Sequence, residues 1–197
     1  MTYRAFRLFV LNILSLIRVT RSWAERRLPR HERGYRYYWE QAGSAGYRED
    51  MYRRQKDMDA NPTFEEMRRT IAAHDPSTVL NVGCGYGREL EALAPFFSIE
   101  GCDIAEDLLA KAKGGVSVFR FDIVEDSTDK KWDILFCRAV MMYFTEPEVL
   151  RKAMQHMEAM ARKKVIVWEW PHICRFMQDT YPSEKFEYHP MSYNEHE

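Results

Sequence analysis

Short apolar strands alternating with helices predict an α/β protein built on a doubly wound, mostly parallel sheet, and three observations carry that expectation. Strand-like runs at Val79–Val82, Phe97–Cys102, Val116–Phe121, Trp132–Cys137 and Val165–Trp168 are separated by helix-like stretches. Most of these runs are apolar throughout, as in strands covered on both faces. The first run enters a turn with glycine at alternate positions, Gly83-Cys84-Gly85-Tyr86-Gly87, which leads into a helix from Arg88. Strand, glycine turn and helix together let a ligand approach bare backbone.

The elements follow in order. Residues 3–22 combine a short apolar run with Arg4, Arg7, Ser15, Arg18, Arg21 and Ser22 on one side at helical spacing, which predicts an amphipathic helix with a basic face. Arg7 and Arg18 bracket a run much shorter than the ~20 apolar residues a membrane span needs. Three readings of this helix stay open: packing on the body, lying on a membrane surface, or serving as a transit peptide. An aromatic segment with Tyr35, Tyr37, Tyr38 and Trp39 follows, then a turn at Gly43-Ser44-Ala45-Gly46. We divide the chain into an extension, residues 1–60, and a body, residues 61–197. Thr63 and Glu66 stand at capping-box spacing and start a helix reaching about Ala73. Beyond the glycine turn, helices are expected at Arg88–Ala94, Ala105–Lys113 and Glu146–Met160. Leu150, Met154 and Met157 give the last of these one buried face. Lys185–His189 is expected to form a further strand.

At 197 residues the chain has enough length for a core without staples. Through Lys56 there are 13 Lys and Arg against 5 Asp and Glu, and beyond it 16 against 25. A basic arm on an acidic body points to an anionic contact for the arm. No base-reading or base-flipping motif accompanies it, so nucleic acid is not an expected partner. Cys84, Cys102, Cys137 and Cys174 lack zinc-ligand spacing and read as reduced thiols of a cytoplasmic protein. No metal is expected.

In a doubly wound sheet, ligands bind outside the carboxyl ends of the strands, where strand order reverses. The glycine turn follows the first strand, Asp103 the second and Asp122 the third. An acid about twenty residues past the glycines is the group expected to accept from a ribose diol. Gly-x-Gly-x-Gly with Arg88 next departs from the dinucleotide fingerprint, and no phosphate-binding P-loop is present. A nucleoside ligand is therefore expected, held otherwise than by a pyrophosphate cradle.

At this point Val79–Gly87 resembles motif I of the class I S-adenosylmethionine-dependent methyltransferases, which have Rossmann-like folds. Ile99–Ile104, Phe121–Ile123 and Asp133–Arg138 resemble the family's next three motifs, in order. The resemblance spans about Ser77 to Pro171 and implies S-adenosylmethionine as cofactor. It also implies residue roles. Backbone at Gly83, Cys84 and Gly85, with Gly87 closing the turn, would approach the methionine part. Asp103 would hold the ribose, with Ile104 beside the adenine. Asp122 and the Ile123 amide would meet the adenine edge, and Arg138 and Ala139 would lie near the sulfonium. Two positions depart from the family: Asn81 stands where it usually carries Asp or Glu, and Tyr143 where many relatives carry His.

The cofactor carries the hard chemistry, so the protein's task is mostly alignment. Tyr143, His172 and Glu169 are candidate bases near strand ends, and Tyr38, Trp39 and Tyr143 are candidate substrate contacts. The layout resembles bacterial small-molecule or glycan-pathway methyltransferases, implying a small-molecule, sugar or lipid-linked acceptor. Phe136–Phe144 is similar to the fourth-strand segment of chemotaxis-receptor glutamate methyltransferases, which keeps protein carboxyl methylation open. Asn81 and Tyr143 keep a non-catalytic scaffold open. The family normally ends in a helix and an antiparallel strand pair. With about 26 residues after Pro171, a shortened end is expected, and an exposed sheet edge would favour pairing of chains.

Overall fold

A computed structural model describes residues 62–112 and 115–191. The extension 1–60, its basic helix over 3–22, Tyr38 and Trp39 lie outside the described residues.

The first element, α1 (Phe64–Ala72), begins as its sequence dictates. Thr63 Oγ1 accepts from the Glu66 amide, and the Glu66 carboxylate accepts from the Thr63 amide at 2.7 Å. This reciprocal cap satisfies two amides that helix geometry leaves without partners. Met67 and Ile71, one turn apart, are the buried residues of the helix. The chain turns through Asp75 at positive φ and enters β1 (Val79–Val82), all four residues of which are buried. The glycine turn leads to α2 (Arg88–Leu93), β2 (Ile99–Asp103), the short α3 (Glu106–Leu109) and β3 (Val118–Arg120). The second half holds β4 (Trp132–Arg138), a 3-10 turn at Met141–Tyr143, α4 (Pro147–Met160), β5 (Ala161–Glu169), α5 (Pro171–Thr180) and β6 (Phe186–Pro190). Both α4 and α5 open with proline in the first turn, where its fixed φ suits a helix and its missing N–H leaves no bond unmade.

The sheet has six strands in the order β3-β2-β1-β4-β5-β6, and every pairing is parallel. The expectation of a mostly parallel sheet thus holds for all six strands. The expected strand near Lys185–His189 is β6, and it joins parallel to β5 after α5. The helix expected over Ala105–Lys113 is shorter, covering Glu106–Leu109. Its N-cap Ala105 offers no side-chain oxygen, which leaves the helix start without a capping bond.

One core cluster lies between the sheet and α1 and α2, drawing on Met67, Ile71, Leu90, Leu93, Ile134, Phe136, Ile166 and Trp168. On the other face α4 contributes Leu150, Ala153, Met154, Met157 and Met160. Asp133 pins the start of β4 beside β1: its carboxylate accepts from the Ser77 amide at 2.7 Å, and its own amide donates to Thr78. Among the described residues, no helix is long and apolar enough to cross a membrane.

Candidate functional site

Strand order reverses between β1 and β4, because β2 lies on one side of β1 and β4 on the other. At such a switch point of a doubly wound sheet the loops leaving adjacent strands diverge, and the carboxyl edge there is where ligands bind. The register brings Asp103 level with Arg120, and Arg138 level with Trp168 and His189. Gly83 follows Val82, the partner of Cys102, so Asp103, Gly83 and Arg138 share one row at that edge.

The glycine turn is built by its backbone. Gly83, Gly85 and Gly87 have φ of 71°, 50° and 76°, the left-handed region that side chains avoid. At Gly83 space is also short, since a Cβ would lie 2.5 Å from Val140 Cγ2. Gly85 is the opposite case, for a Cβ there would meet nothing within 4 Å. The amides of Gly83 and Cys84 both donate to the Cys102 carbonyl, and the Gly87 amide to that of Cys84. The turn is thereby fixed by its own chain and open at Gly85.

Asp103 is buried and ties the turn to β2. Its Oδ2 accepts from the Gly85 amide at 2.9 Å and its Oδ1 from the Ala105 amide at 2.9 Å. Ile104, beside it, is half-buried. Asp122 is buried after β3, where its Oδ1 accepts from the Val124 amide and its carbonyl from the Glu125 and Asp126 amides. Ile123 is buried, and its carbonyl lies 2.9 Å from His156 Nδ1. Asn81 is buried in β1, with Nδ2 lacking a hydrogen-bond partner.

The side facing β4 is assembled from distant parts of the chain. Arg138 pairs with Glu89 of α2 at 2.6 Å, and the two side chains are only 11% and 13% exposed. Ala139 has a φ of 54°, strained for a residue with a side chain, and its amide donates to the Trp168 carbonyl. Val140 then covers Gly83, as described above. Tyr143 is half-buried at the end of the 3-10 turn, and His172 is exposed at the start of α5.

Glu169, a base candidate from its position after β5, is fully buried. Its Oε1 accepts from the Met141 amide at 2.6 Å and more weakly from the Met142 amide at 3.4 Å. Burial pushes its carboxyl up to about 7 against the opposing pull of these amides. Its carboxyl is thus buried and bonded to the loop after β4 rather than exposed at the carboxyl edge. The four cysteines are free and buried, and burial raises each thiol above its ordinary range.

The predicted residues Gly83, Cys84, Gly85, Gly87, Asp103 and Arg138 thus meet at one edge, with Asp122 and Ile123 after the adjoining β3. Sequence reasoning missed Val140 and Glu89. Neither stands in a motif that announces it, and only the packing of the β4 loop on the glycine turn reveals them.

Residues 79–164 match a methyltransferase domain family. The fold is similar to that of an amino pentose methyltransferase from Micromonospora echinaspora, solved with S-adenosylmethionine bound. The identity is 25% and the TM-score 0.50, over 55% of this chain and 51% of that one. A sugar N-methyltransferase from Streptoalloteichus has 20% identity and a TM-score of 0.54, over 62% and 54%. A TehB-like S-adenosylmethionine-dependent methyltransferase from Corynebacterium glutamicum has 18% identity and a TM-score of 0.52, over 67% and 81%. The chain spans about half the length of the two sugar enzymes. No curated protein matches it.

Proposed function

We propose that this chain is a class I methyltransferase that uses S-adenosylmethionine and methylates a small-molecule, sugar or lipid-linked acceptor by direct in-line transfer. The observation that carries the proposal is the row of Asp103, the glycine turn and Arg138 at the switch point of a parallel sheet. The similarity to an amino pentose methyltransferase supports a sugar-like acceptor.

The residues present fit the cofactor. Among the described residues nothing lies within 4 Å of a Cβ built at Gly85, which leaves its backbone approachable by a ligand. Asn81 Nδ2 is a buried donor with no hydrogen-bond partner among the described residues, suited to an acceptor atom such as a methionyl carboxylate oxygen. When bound, S-adenosylmethionine supplies a methyl group made electrophilic by its sulfonium. Gly83, Cys84 and Gly85 bind the methionyl part through their backbone, with Gly87 closing the turn. Asp103 accepts from the ribose hydroxyls and Ile104 flanks the adenine. Asp122 accepts from the adenine amino group, with the Ile123 amide alongside. Arg138 and Ala139 wall the sulfonium end, Arg138 through its pairing with Glu89.

The chain's remaining work is orientation of the acceptor and exclusion of water, the source of most of the rate in a displacement of this kind. Tyr143 and His172 stay as candidates for holding an acceptor proton, and Tyr38 and Trp39 for capping the acceptor. We keep the division at residue 60 and assign the protein to the cytoplasm, with three placements of residues 3–22 still open: on the body, on a membrane surface, or as a transit peptide. Calorimetry with S-adenosylmethionine, followed by a screen of amino sugars and extracts for release of S-adenosylhomocysteine, tests the proposal. A folded protein that binds neither the cofactor nor its product would overturn it.

A further inference from the structure

Glu169 sits under the loop that closes the glycine turn. Its side chain leaves the end of β5 on the face covered by α4 and α5, among the buried Val165 and Val167. It is the one charged residue type in that strand end, and it is fully buried. A carboxyl at such a position is costly unless a fixed structural need retains it. The need is visible in the loop above. Residues 139–143 contain a strained Ala139, the Val140 side chain covering Gly83, and the 3-10 turn Met141–Tyr143. The first amide of that turn donates to Glu169 Oε1 at 2.6 Å and the second at 3.4 Å. The start of a helical turn leaves its amides without intrahelical acceptors, and Glu169 supplies the missing acceptor from below.

We propose that Glu169 is a positioning residue: through the Met141 and Met142 amides it sets the loop after β4, and so holds Val140 against Gly83 and fixes that wall of the cofactor site. It touches neither cofactor nor acceptor. The proposal deepens the functional reading above and rests on it for its ligand. The groups facing Glu169 from the packed elements are the thiols of Cys137 in β4 and Cys174 in α5, with Tyr188 of β6 beyond them. The Cys174 thiol donates to the Glu169 carbonyl at 3.5 Å. None of these groups is a cation, and Glu169 Oε2 has no hydrogen-bond partner among the described residues. The acceptor role therefore belongs to Oε1 and does not require ionisation.

That distinction makes the proposal testable. Glu169→Gln keeps an acceptor at Oε1 and removes the titration, whereas Glu169→Leu removes both. Three readouts are needed: S-adenosylhomocysteine affinity by calorimetry, amide hydrogen exchange in a peptide spanning residues 138–144, and melting temperature from pH 5 to pH 8.5. The Gln variant is expected to bind within about threefold of wild type and to protect the loop equally. The Leu variant is expected to lose about tenfold or more in affinity and to exchange faster in that peptide.

The wild-type carboxyl goes from an ordinary 4.5 to about 7 on folding. Its neutral form favours the folded state below 4.5, and that contribution is lost as pH rises through about 7. Glu169→Gln should therefore gain on wild type in melting temperature across this window and hold its gain above it. Leu-variant binding and loop exchange equal to wild type would overturn the proposal. If the Leu variant does not fold, a Gln variant with impaired binding or a loosened loop overturns it instead. Failure of wild type to bind S-adenosylhomocysteine sinks the functional reading alone, because loop exchange still reports on Glu169.

Discussion

The two halves of the sheet hold their share of the site by different means. On the β1–β3 side, the candidate groups are held by bonds within positions 83–126, no more than 19 positions apart. Asp103 accepts from the Gly85 and Ala105 amides, and Asp122 from the Val124 amide two residues on. On the β4–β6 side the supports come from far away in sequence. Arg138 pairs with Glu89 across 49 positions, Met141 leans on Glu169 across 28, and Val140 covers Gly83. The first half is held by bonds within one stretch of the chain; the second takes shape only when the whole sheet is assembled.

The sharpest way to break the contrast is at its seam, Gly83. Gly83→Ala combines left-handed strain of about 1–2 kcal/mol with a Cβ 2.5 Å from Val140 Cγ2. A total loss of about 3 kcal/mol in urea unfolding is expected. Pairing it with Val140→Ala should recover the clash but not the strain, so the double variant lands between.

Next in size, Asp103→Ala is expected to weaken S-adenosylmethionine binding about 10–100-fold, roughly 1.4–2.8 kcal/mol. Calorimetry reads this directly. Affinity equal to wild type would show that Asp103 serves the turn alone.

Arg138→Met tests the long-range wall. Its partner Glu89 is only 13% exposed, so the carboxylate would lose its guanidinium while largely shielded from water. A loss of about 1–2 kcal/mol is expected, less than for a fully buried pair. Combining it with Glu89→Gln should return part of that loss.

The smallest effect belongs to Ala139→Gly. Glycine relieves the φ of 54° but loosens the unfolded chain, leaving a net gain of under about 1 kcal/mol. A loss would mean that the Ala139 methyl packs where the strain alone was considered.

The legibility of the site in the sequence follows the same division. The placement of Asp103 and Asp122 at strand ends was legible because apolar runs and glycine spacing are patterns along the chain, and the Thr63–Glu66 cap because its reciprocal bonds span one turn. The short α3 was overestimated because helix periodicity ran on past a start that lacks a capping bond. Glu169 carried a signal, as an acid among apolar strand residues, but its burial and its bond to the Met141 amide were not legible. A sequence shows that a carboxyl follows a strand, but not whether it faces an acceptor or the underside of a loop.

What the sequence by itself determined is the alternation of strands and helices, the glycine turn and the acids after β2 and β3. Each is written in residue type and spacing along the chain, through apolar periodicity, glycine at alternate positions and an acid at a strand end. Only the tertiary structure decided that β6 runs parallel beside β5, that Val140 closes over Gly83, and that Glu169 is buried beneath the loop after β4. These contacts depend on which strands become neighbours and on which face each side chain is buried, and both are settled when the sheet packs against its helices.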